Sequence, residues 1–98
     1  MAGLGTSEQL RGARAMLRLE QSGLSEASRV SLATVKRLEG IAGPLRANPS
    51  TIAALQRALE AMGIEFIEEN GGGAGLRLKK GRGAGAIEPG ELNASNDE

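Results

Sequence analysis

Two short amphipathic segments separated by a brief break, between residues 21 and 39, constrain the fold of this chain more than any other feature. The first segment carries Leu24 on one side of a helical pattern. In the second, Ser31 can act as an N-cap, and Val35 and Leu38 are three residues apart. The stretch therefore predicts two short helices, over residues 21–28 and 31–39.

The short turn determines how these two helices pack. They cross closely, so the facing position of the first must be small, and Ser25 fills it. The positions that point into the core between them are Leu24, Val30, Val35 and Leu38. The positions that project outward from the second helix are Leu32, Ala33, Lys36 and Arg37. A helix in the major groove of DNA would present this outward set to base edges and phosphates, whereas a small all-α bundle would leave it as a solvated face.

Two further helices flank this pair. Thr6 and Gln9 form a capping-box pattern, and the apolar spacing that follows predicts a first helix over 7–19. Asn48-Pro49 supplies an N-cap and a first helical residue, and an apolar repeat then runs to Gly63. The segment between the third and fourth helices is expected to be a loop.

The C-terminal part of the chain predicts a hairpin followed by a tail. Two short segments at 65–67 and 76–79 are separated by the turn residues Asn70 to Gly73. From Gly81 onward almost nothing apolar is left to bury, which is typical of disorder. The predicted organisation is mainly α, with a flexible N-terminus over 1–6, a four-helix domain over 7–63, a β-hairpin over 64–80 and a disordered acidic tail over 81–98.

The composition argues against catalysis. The chain has no His, Cys, Trp or Tyr, so it lacks a thiolate nucleophile, a side chain that titrates near neutral pH and the usual ligands for zinc. The glycines at 71–75 lack the Lys-Ser/Thr ending of a phosphate-binding loop. We therefore expect no enzyme activity, no metal, no cofactor and no small-molecule ligand.

The formal net charge of zero conceals two unlike parts. Residues 1–86 contain all 12 basic residues but eight of the 12 acidic ones, which gives the body a charge of +4, and residues 87–98 carry −4. Charges separated by more than about 8 Å are screened from one another at physiological salt, so the body can attract an anionic partner. No segment has the pattern of a signal peptide or a membrane span, so a cytoplasmic protein is expected.

The motifs Gln21-x-x-Leu24-Ser25 and Val30-Ser31-Leu32-Ala33-Thr34-Val35-Lys36-Arg37-Leu38-Glu39 resemble the lambda-repressor-like, Xre-type helix-turn-helix regulators of bacteria and their phages. The likeness is clear from Leu10 to Leu59. Beyond it, residues 58–67 and 70–78 resemble the C-terminal extension of a bacterial subgroup of these proteins, which extends the likeness to about Lys80.

The resemblance implies a role for particular residues. Gln21 would hold a DNA phosphate, and the start of the recognition helix, at Ser31, Leu32, Ala33 and Thr34, would contact bases and backbone. Lys36 and Arg37 would reach a guanine edge or a phosphate, and Arg46 would approach the adjacent backbone or the minor groove. Leu32 could touch a thymine methyl group or pack on a neighbour.

Two more positions follow from the resemblance. Members often pair an Arg of the first helix with a Glu that ends the recognition helix, and Arg14 and Glu39 match these positions. The turn position usually occupied by Gly is Arg29 here, so either the turn has another shape or backbone strain is tolerated.

Together these features predict a transcriptional regulator of the repressor class that binds double-stranded DNA sequence-specifically through residues 31–39. A single recognition helix reads few base pairs, so we expect a homodimer, formed through residues 64–80, on an inverted repeat whose half-sites are centred about 10–10.5 base pairs apart. The alternative is a protein-interaction module, such as an antitoxin or an antiactivator, that uses the same fold.

Overall fold

The first helix begins where its capping residues predict. In a computed structural model, which describes residues 3–68 and 71–79, the Thr6 side chain accepts a hydrogen bond from the Gln9 backbone N–H at 3.1 Å, and Gln9 Oε1 accepts one from the Thr6 N–H at 3.1 Å. These described residues are mainly helical and end in a small antiparallel hairpin. The elements are α1 (Ser7–Leu17), α2 (Gln21–Ser28), α3 (Leu32–Gly40), α4 (Pro49–Ala61), β1 (Ile64–Ile67) and β2 (Gly75–Leu78).

The core between the helices contains the residues that the sequence pattern assigns to it. All four predicted core residues of the α2 and α3 pair are buried, which confirms the inward positions: Leu24, Val30, Val35 and Leu38. The small residue predicted at the crossing, Ser25, donates a hydrogen bond from Oγ to the Val30 carbonyl at 2.6 Å. Helix α2 packs against α3 and α4, and α1 packs against α3 and β2, so the core lies among all the elements.

Helices α1 and α2 both end at an arginine in the left-handed backbone region. Arg18 has φ 53° and ψ 41°, so α1 ends at Leu17 and not at residue 19 as predicted. The N–H groups of Arg18 and Leu19 donate to the carbonyls of Ala15 and Arg14 at 3.2 and 2.9 Å, the pattern of a Schellman cap. Arg29, with φ 64° and ψ 24°, ends α2 through one bond to the Ser25 carbonyl. The turn therefore keeps its left-handed residue despite the strain.

The N-terminal segment belongs to the folded body, which corrects the prediction of a flexible terminus for residues 3–6. Leu4 is buried, and its N–H donates to Gln56 Oε1 at 3.0 Å. Thr6 forms a β-bridge with Pro44, and the Leu45 N–H donates to the Gly5 carbonyl at 2.9 Å. Backbone pairing thus fixes the loop between α3 and α4 to the start of α1.

The hairpin packs one face on the helices. Ile64 pairs with Leu78 and Phe66 with Leu76 across the strands, so these four side chains share a face. Phe66 is 7% exposed and Leu76 packs against the core, so neither supplies free apolar surface for a dimer contact. Ile67 and Leu78 are exposed at 38% and 40%. The predicted tail at 81–98 lies outside the described residues.

We expect the substitution Arg18→Gly to stabilise the protein slightly. Release of the left-handed strain gains about 1–2 kcal/mol, and the greater freedom of glycine in the unfolded chain offsets about 0.4–1 kcal/mol of it. Thermal unfolding of the two variants Arg18→Gly and Arg18→Ala measures this effect, because glycine adopts the left-handed conformation without strain and alanine does not. A melting temperature raised equally in both variants would contradict the backbone explanation.

Candidate nucleic-acid interface

Helix α3 has one anchored face and one exposed face. Val35 and Leu38 are buried on the first. The outward positions predicted from the sequence are all exposed: Leu32, Ala33, Lys36 and Arg37. Leu32 retains 37% exposure, so it does not pack closely on a neighbour within the described residues. An exposed helical face with two cations and small or apolar side chains can enter a groove lined by anions.

The start of α3 is capped by its own hydroxyl groups. The predicted helix over 31–39 is observed as Leu32–Gly40, with Ser31 as the N-cap. Ser31 Oγ accepts from the Thr34 N–H at 3.2 Å and donates to Thr34 Oγ1 at 2.9 Å. Because the Thr34 hydroxyl accepts the Ser31 proton, its own proton is available for an external acceptor.

The Arg37 side chain reaches the loop that carries Arg46, another of the predicted cations. Arg37 Nη1 donates to the Arg46 carbonyl oxygen at 3.2 Å, so the side chain from α3 also holds the loop that carries Arg46. Both residues are exposed. In the part of the chain that the structure describes, the ion pairs are Arg11 with Glu8, Arg14 with Glu39 and Arg77 with Glu65. Lys36, Arg37 and Arg46 thus have no acidic partner there.

Arg14 and Glu39 form a bidentate ion pair that joins α1 to the end of α3. Arg14 Nε donates to Glu39 Oε2 at 2.6 Å, and Nη2 donates to Oε1 at 2.7 Å. Arg14 Nη1 also donates to the Leu19 carbonyl at 2.8 Å. The side-chain exposure is 22% for Arg14 and 4% for Glu39, so water screens this pair weakly.

Gln21 enters the same network. Its Nε2 donates to Glu39 Oε1 at 3.0 Å, so the side chain that the resemblance assigns to a phosphate is directed at a carboxylate. One N–H of the amide is engaged in this bond, and the other remains. Sequence spacing gives no sign of the contact, because it requires α1, α2 and α3 to converge on one carboxylate.

The network changes the ionisation of both partners. Burial opposes ionisation of Glu39, but the hydrogen bonds from Arg14 and Gln21 outweigh it, so the pKa of Glu39 is lowered from 4.5. The hydrogen bond to Glu39 likewise raises the pKa of Arg14. Both groups are therefore charged near neutral pH.

The buried hydroxyl of Ser7, which the sequence pattern did not indicate, also holds the end of α3. Ser7 Oγ donates to the Glu39 carbonyl at 3.1 Å, and the Ser7 N–H donates to the Gly43 carbonyl at 2.8 Å. The Glu8 carboxylate accepts from the Gly43 N–H at 3.2 Å. The only sequence signal for these contacts is a polar pair directly after the N-cap of α1.

Comparison with known proteins leaves the family open. No protein-family model and no curated protein sequence matches the chain. Within residues 3–68 and 71–79, no group of His, Cys, Asp and Glu is arranged to hold a metal ion, and no helix has the length and apolarity to cross a membrane.

We expect Glu39→Gln to lower the free energy of unfolding by about 3–5 kcal/mol near pH 7, because it leaves the charge of Arg14 without its partner. The pKa of Glu39 is lower in the folded chain, so its stabilisation is complete above its ordinary value of 4.5 and is lost as the pH falls through the folded value.

Urea unfolding of the wild type and Glu39→Gln across the acidic range measures both effects. The difference between the two proteins should shrink as the pH falls below that value. Glu60→Gln, at an exposed position of α4, provides a matched control with the same charge change. A difference that stays constant down to strongly acidic pH would contradict the assignment to Glu39.

Proposed function

We propose that this protein is a sequence-specific DNA-binding regulator, an Xre-type repressor with a lambda-repressor-like helix-turn-helix, in which α2 and α3 form the motif and α3 enters the major groove. The observation that carries the proposal is the two-sided character of α3. Its inner face is fixed by a buried ion pair and core packing, and its outer face presents Leu32, Ala33, Lys36 and Arg37.

The charged residues of α3 suit two different kinds of DNA contact. Lys36 lies one position after the buried Val35 and has no acidic partner among the described residues, so it suits contact with a base edge. Arg37 donates a hydrogen bond to the backbone of the loop that carries Arg46, and both side chains are exposed, so each suits a phosphate contact beside the groove. The hydroxyls of Ser31 and Thr34 lie at the opposite end.

The regulator is proposed to act as a homodimer through β2. Lys79 N–H donates to the Gly63 carbonyl at 2.7 Å, which identifies these two residues as a hydrogen-bonded pair. Bonded and non-bonded pairs alternate in an antiparallel ladder, so the N–H and C=O of Leu76 and Leu78 point away from β1. That edge, with the exposed Leu78 side chain, suits pairing with the same edge of a second copy.

Selection from a random duplex pool at two salt concentrations tests the DNA-binding proposal. We expect the wild type to enrich an inverted repeat that survives the higher salt. Lys36→Ala should relax the preference at one position, which typically corresponds to about 1–3 kcal/mol, while Arg37→Ala should weaken binding to all sequences alike.

Two results would contradict this proposal. Binding that never converges on a sequence and disappears at the higher salt would leave only electrostatic attraction. Unchanged DNA affinity in the Lys36→Ala/Arg37→Ala double variant, together with loss of a protein partner, would favour the protein-interaction module.

Sedimentation of the full chain at tens of micromolar tests the dimer. Leu78→Pro removes an N–H that points outward and leaves the ladder with β1 intact, so it should shift the protein to monomer without unfolding the hairpin. Ile67→Ala, on the opposite face, serves as the control and should leave the dimer in place. A monomeric wild type would refute the dimer.

A further inference from the structure

Arg29 combines a strained backbone with an exposed side chain. Its φ of 64° lies in the left-handed region, where a residue other than glycine is disfavoured by about 1–2 kcal/mol. The backbone N–H bonds to the Ser25 carbonyl, but the exposed side chain has no ion-pair partner among the described residues. Such strain concentrates at functional sites.

Arg29 lies at the opposite end of α3 from Arg37 and Arg46. It precedes the N-cap Ser31 by two residues, whereas Arg37 is in the last turn of the helix and is bonded to the Arg46 loop. The nine residues of α3 rise about 13 Å along the helix axis, so Arg29 and the loop that carries Arg46 lie at opposite ends of the helix. The major groove of B-DNA is about 12 Å wide and has a phosphate strand along each side.

The geometry points to Arg29 as a phosphate-binding residue at the N-terminal end of α3, separate from the phosphate contact proposed for Arg37 and Arg46. This inference rests on the proposed function. The planar guanidinium can donate two hydrogen bonds to one phosphodiester, and it carries no base specificity in that role. The strain at Arg29 then places a cation where glycine would give a more relaxed turn.

The test uses the duplex that the wild-type full chain selects. Arg29→Gly should raise the melting temperature of the free protein and lower DNA affinity about tenfold for each subunit. It should reduce the slope of log affinity against log salt by about 0.9 for each subunit, or about 1.8 for the proposed dimer. Arg29→Lys keeps the charge and should retain the wild-type slope. Arg57→Ala, at an exposed position of α4, matches the loss of net charge, and Arg18→Gly matches the release of backbone strain.

Each outcome decides the proposal. A lower slope in Arg29→Gly alone supports the contact. Unchanged affinity in Arg29→Gly, or an equal loss in Arg57→Ala, would overturn it while leaving the proposed function in place. A wild type that selects no duplex would overturn both.

Discussion

The carboxylate of Glu39 is the point on which three helices converge. Arg14 of α1 and Gln21 of α2 donate to the carboxylate oxygens of Glu39. Ser7, at the start of α1, donates to the backbone carbonyl of the same residue. A charge with 4% side-chain exposure is tolerated only because these donors replace water. The end of α3 is therefore held in one orientation, and the buried ion pair fixes the direction in which the exposed face of that helix points.

The anchoring divides the polar residues into two groups. Arg14 and Gln21 are directed inward at a carboxylate, although both types of side chain are common in contacts with phosphate. Lys36, Arg37 and Arg46 have no acid beside them in the described part of the chain. The charges of the buried ion pair and the exposed cations without an acidic partner thus belong to different residues, and of the exposed group Arg37 also holds the loop that carries Arg46.

The sequence predicted the α2 and α3 pair and its core, because the spacing of Leu24, Val35 and Leu38 is a local property of the chain. It misplaced the end of α1, because Arg18 occupies a left-handed position for which glycine is the usual signal. The outward face of α3 followed from the same helical period. The contact between Gln21 and Glu39 could not be read from the chain, since it depends on helix positions in space.

The pairing of the N-terminal segment with distant parts of the chain sets an order on folding. Leu4 donates to a side chain 52 residues away, and Gly5 accepts from Leu45. Contacts between neighbouring helices close short loops. The contacts of Leu4 and Gly5 close long loops, so forming them costs more chain entropy. During synthesis, Leu4 and Gly5 leave the ribosome before α4 and reach their final place only after that helix has emerged.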